Sequence, residues 1–154
     1  MHHHGYLWAG PKQRFDDEAL RRPPRPDAPP DGSRPELVQR HREVAAEFPV
    51  VDLPPLETAY WLVKPGRLVR GTWEKPEDAA AWLGRRLAES APRFASVSDR
   101  DTTRLVTLVH SATERLIRGV DLSLGFYLER PTFLSVALVH CPNRALPELA
   151  CPLG

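Results

Sequence analysis

The clearest pattern in the chain lies between Leu122 and Glu129. Leu122, Leu124, Phe126 and Leu128 alternate with Ser123, Gly125, Tyr127 and Glu129. A period of two predicts a strand with one buried face. Glu129-Arg130-Pro131-Thr132 then reads as a turn, and Phe133 to His140 is apolar on both faces, as a central strand requires. Thr58–Val63 and Leu68–Trp73 are rich in β-branched and aromatic residues, with Lys64-Pro65-Gly66-Arg67 between them. That turn places Pro and Gly where a type II turn prefers them, so the two runs predict a second hairpin.

Three segments carry the helical period. Ser33-Arg34-Pro35-Glu36 fits a capping box, and Leu37, His41, Val44, Ala45 and Phe48 follow on one face until Pro49. Pro76-Glu77-Asp78 opens a second helix, with Ala80, Leu83 and Leu87 inward, Trp82 beside them, and Pro92 as its end. Ser98 is the expected cap of a third helix. Its stripe is Leu105, Leu108, Val109, Ala112 and Leu116, widened by Val106 and Ile117, which predicts the most buried helix, and Gly119 is the expected stop.

The chain before Ser33 follows neither period. Pro11, Pro23, Pro24, Pro26, Pro29 and Pro30 interrupt it, and Arg21 to Asp31 suits extended polyproline II. The expected class is α+β: a mostly antiparallel four-stranded sheet made of two hairpins, with about three helices packed on one face. The expected divisions are an irregular proline-rich arm over 1–34, one domain over 35–142, and an irregular tail over 143–154.

Composition adds little to that picture. A net charge of +1, from 21 basic and 20 acidic residues, argues against nucleic acid and anionic membranes as partners. Arginine outnumbers lysine heavily among the basic residues, as in chains from GC-rich bacterial genomes. With no apolar run long enough to span a bilayer and no secretory pattern at the N-terminus, the expected location is the cytoplasm, with both cysteines reduced. His2, His3 and His4 could be native or the remnant of a tag, and the expected fold is built without them.

Candidate chemistry is sparse. His140, Cys141 and Cys151 are ligand types that suit zinc, with His110 as a fourth, but no short Cys-x-x-Cys knuckle is present. His140 and Cys141 are strand neighbours and so point to opposite faces. Cys141 as a nucleophile needs a base, and His110 is the candidate. Asp99 and Asp101 suit a first helical turn, and Glu129 a solvated turn. No glycine-rich phosphate loop opens a helix, and no cofactor is expected. Arg85, Arg86, Arg100, Arg104, Arg115 and Arg118 share their helices with acids, the mark of a solvated face.

The aromatic cluster in the arm gives the strongest functional pointer. Tyr6, Leu7, Trp8 and Phe15 sit on a proline-rich spacer and are the expected contacts to another protein, or to a sister subunit in a homo-oligomer. The alternative is that they fold back and close the chain's own core. The leading expectation is thus a non-catalytic interaction or assembly protein. A small enzyme or metal-binding protein using His110, His140 and Cys141 stands second. A small-ligand domain lined by Trp61, Trp73, Trp82 and Tyr127 stands third.

Overall fold

A computed structural model describes residues 1–154. Its centre is an antiparallel four-stranded sheet in the order β2-β1-β4-β3. Strand β1 is His2–Pro11, β2 is Gly71–Trp73, β3 is Leu122–Tyr127 and β4 is Thr132–Cys141. The α+β class is as expected, and β3 and β4 form the predicted hairpin, with β4 buried along nearly all its length.

The beginning of the chain overturns the expected arm. Residues 2–11 run through the middle of the sheet and pair with β4 from His2↔Cys141 to Pro11↔Thr132. The reason is visible in the residues: His2, His4, Tyr6 and Trp8 face one side, and His3, Gly5 and Leu7 the other. Tyr6 is 1% exposed and Trp8 5%. The Tyr6 ring stacks on Trp61 at 4.5 Å, and Phe15 packs between Trp8 and Phe133. Leu7 is partly buried against the core of the opposite face. The four residues expected to reach a partner therefore fold back onto the chain's own domain. After β1 come two single-turn helices, α1 (Lys12–Phe15) and α2 (Glu18–Arg21). The proline-rich run then leads to α3, Pro35–Glu47. Ser33 does not cap α3; its hydroxyl donates to the Pro30 carbonyl instead.

The second predicted hairpin is also corrected. Thr58–Val63 and Gly66–Leu68 are 3-10 turns, and only Gly71–Trp73 joins the sheet. Trp61 and Leu62 are buried against Tyr6, Ala137 and Val139, so their apolar character serves a covering segment rather than a strand.

The sheet is covered on both faces. Helices α4 (Pro76–Ser90) and α5 (Thr102–Ile117) pack on the face that carries Leu134, Val136 and Leu138. Gly5 lets α4 approach closely, since a Cβ there would lie 2.9 Å from the Trp82 ring. The other face is covered by the irregular chain between β1 and β2 and by the C-terminal tail. Asp101, not Ser98, caps α5 by accepting from the Thr103 and Arg104 amides. The more buried helix is α4, which buries Ala79, Ala80, Trp82, Leu83 and Leu87; Val106 and Ile117 of α5 are exposed. Gly119 ends α5 with a positive φ of 77°.

Candidate metal centre

Pairing of β1 with β4 decides what can meet at this end of the sheet. His2 lies opposite Cys141, and His4 lies two residues along on the same face. A histidine pair at i and i+2 on a strand therefore projects together, beside the Cys141 thiol. The tail after β4 returns over this face and brings Cys151 to the same place, next to Leu149 on the apolar cluster.

The ligand atoms of His2, His4, Cys141 and Cys151 all lie within 4.8 Å of one another. The two Nε2 atoms are 3.1 Å apart. Cys151 Sγ is 3.6 Å from His2 Nε2 and 3.5 Å from His4 Nε2. A tetrahedral ion with bonds of about 2.1 Å to nitrogen and about 2.3 Å to sulfur needs edges of about 3.4–3.8 Å. The three edges among His2, His4 and Cys151 lie on or near that range, and with Cys141 within 4.8 Å of each of them a modest inward shift of the ligands would close a tetrahedral site.

The surroundings suit ligation. His4 Nδ1 is 2.8 Å from the Thr72 hydroxyl, across the β1–β2 register pair His4↔Thr72. With Nδ1–H donating to Thr72, Nε2 keeps its lone pair toward the cluster. Burial, and then the neighbouring His2, lower the His4 pKa to about 4, so the ring is neutral at pH 7. Burial and contact with Cys151 push the Cys141 thiol up to about 11. Binding an ion would therefore displace a proton from Cys141. The Tyr6 hydroxyl is buried with no hydrogen-bond partner, and burial together with the two thiols raises its pKa.

His140 stands on the opposite face of β4, as strand alternation predicts, and is fully buried. Its backbone N–H donates to Asp121 Oδ1 at 2.9 Å, its Nδ1 lies 3.1 Å from the same oxygen, and its Nε2 donates to the Leu116 carbonyl at 3.0 Å. Asn143 donates to Asp121 Oδ2. Burial alone would raise the Asp121 pKa, but the bonds from His140 and Asn143 hold it below the ordinary value. This network ties the end of α5 to the end of β4, and the His140 ring cannot reach the thiols. His3 packs edge-on against it at 4.5 Å.

The remaining candidates do not converge. His110 is exposed on α5 and lies 3.5 Å from Glu114, so it is no base for the buried Cys141. Asp99 lies 3.5 Å from Arg104, and Glu129 pairs with Arg93. Trp61 stacks on Tyr6 on one face of the sheet, while Trp73 and Trp82 pack together on the other. Tyr127 is exposed at the sheet's edge. These four rings line no common hollow.

Sequence reasoning named two of the four converging residues, Cys141 and Cys151, and missed His2 and His4. The signal was present as His-x-His leading into Tyr-x-Trp on the same parity. Treating the histidine run apart from the fold hid it.

No family model, curated protein or solved structure matches this chain. No helix is long and apolar enough to cross a membrane.

Proposed function

We propose that this chain is a non-catalytic zinc-binding protein whose single ion is held by His2, His4, Cys141 and Cys151. The observation that carries the reading is the convergence of four ligand atoms from three separate segments. Two imidazoles and two cysteines that ionise on binding are a donor set that suits tetrahedral zinc. Four protein ligands leave no open position for water or substrate, so the role is structural. The ion would join the start of β1, the end of β4 and the tail, and both thiols must be reduced to hold it, as in a bacterial cytoplasm. In this reading any protein partner is met by a surface other than the Tyr6–Trp8 strand, which is spent on the core.

The test is elemental analysis of untagged protein purified without metal-affinity chromatography. One zinc per chain is expected, and cobalt should replace it with the visible bands of a tetrahedral thiolate site. His4→Ala and Cys151→Ala should each lose most of the metal, whereas His110→Ala should keep it. A folded chain that takes up neither zinc nor cobalt would sink the reading.

A further inference from the structure

The sheet has two edges, and they are treated differently. At one edge β2 is only three residues long and is flanked by Arg70 and Glu74. Short, charged edges resist pairing with other strands. At the other edge β3 runs for six residues, Leu-Ser-Leu-Gly-Phe-Tyr, with no charge and no proline. Tyr127 O turns outward and accepts from Ala95 N at 2.8 Å, while Leu128 N turns inward to Thr132 O. Antiparallel alternation then directs the N–H and C=O of Ser123 and Gly125 outward as well. Those four groups make no hydrogen bond beyond the sheet.

Beside this edge lies a groove of about 220 Å³ between β3 and α5. Leu108, Ala112, Leu122 and Leu124 give it an apolar lining, and Arg104 and Arg115 are the charged residues on it. No carboxylate lines it. The Arg104 side chain is 59% exposed and is paired only loosely, at 3.5 Å, with Asp99.

We propose that this edge and groove bind an extended acidic segment of a partner protein, which adds to the sheet as a fifth strand alongside β3. The backbone groups of Ser123 and Gly125 would bond the added strand. Alternate side chains of that strand would face α5, placing acids near Arg104 and Arg115 and small apolar groups in the groove. A second copy of this chain is the wrong occupant. Edge-to-edge pairing of two β3 strands would bring the Arg104 and Arg115 side chains of both copies into one groove, with no acid between them.

The full-length protein can be tested with a fluorescein-labelled peptide in which every second residue is serine and the residues between them are glutamate and valine in turn, so that one face of the added strand carries both acids and apolar groups. Anisotropy should report binding that weakens as salt is raised, and the same peptide with lysine in place of glutamate should bind at least tenfold more weakly. Amide hydrogen exchange at Ser123 and Gly125 should slow when the acidic peptide binds. Arg104→Glu combined with Arg115→Glu should reverse the charge preference. Ser123→Pro, which removes an outward N–H and no bond within the sheet, should abolish binding of both peptides. If Ser123→Pro does not fold, the arginine pair decides alone. Equal binding of the two peptides, no binding, or protection elsewhere than β3 would overturn the proposal. So would a dimer in the free protein with its β3 amides already protected.

Discussion

His4 shows how one residue can be prepared for its task by its neighbours. The Thr72 hydroxyl, 2.8 Å from Nδ1, holds the ring so that Nε2 faces the cluster. Thr72→Val should therefore weaken zinc affinity by about 10–100-fold while leaving the fold intact, and Thr72→Ser should restore most of it. Competition with a chromophoric chelator measures both. Lys64 is a second residue whose setting has a measurable result. It is buried, its ammonium donates to the Phe48 carbonyl at 2.6 Å, and it lies 4.0 Å from the centre of the Phe48 ring. Burial lowers its pKa to about 8, and Asp52 opposes this only in part. Between pH 8 and about 10.4 the unfolded chain then binds more protons at this site than the folded one, so the contribution of this site to stability rises with pH across that window. The raised Cys141 and Tyr6 groups work the other way in this window, so the Lys64 share is read as a difference: between pH 8 and pH 10 the change in urea-unfolding stability of the parent should exceed that of Lys64→Met by on the order of 2 kcal/mol.

Among the elements, β1 has the largest consequence for the fold. It makes ten residue pairs with β4 and three with β2, so it joins the two halves of the sheet. Removing residues 1–11 should leave the remainder unable to unfold cooperatively, with the near-ultraviolet dichroism of its packed tryptophans lost. An arm merely tethered to a finished domain would leave both unchanged. The same element marks where the sequence was legible. β3 and α4 could be read because each carries a full period with turn residues at its ends, and β4 because it is an unbroken apolar run directly after a turn. β1 keeps the period only if three histidines count as inward-facing, which ordinary burial tendencies resist. Thr58–Val63 misled for the opposite reason: its aromatic and β-branched residues are buried by lying on the sheet, not by joining it. Half of the candidate site was legible for the same cause, since thiols advertise chemistry and a terminal histidine run does not.

At the scale of the whole molecule, the sheet is a layer between two unlike covers. One is a pair of regular helices. The other is mostly turns and tail, held by few backbone bonds; after Cys141 the tail's only backbone–backbone bonds are two short-range ones, Leu149 to Leu146 and Gly154 to Cys151. A zinc ion at the four-residue centre would be the strongest tie on that looser cover. Chelation of the zinc-loaded protein should therefore raise amide exchange and proteolysis over residues 142–154 first, with a fall in Tm, while the α4–α5 face keeps its protection. Uniform loosening of both faces would assign the ion a different role.

His2↔Cys141 pairing also governs how the chain can reach this state. β1 and β4 are separated by residues 12–131, so they cannot pair with each other until almost everything between them has been synthesised. Until then Tyr6, Leu7 and Trp8, which pair only with β4, have no strand to join. Refolding on the slow side for a domain of this size is the expected signature, governed by one long loop closure.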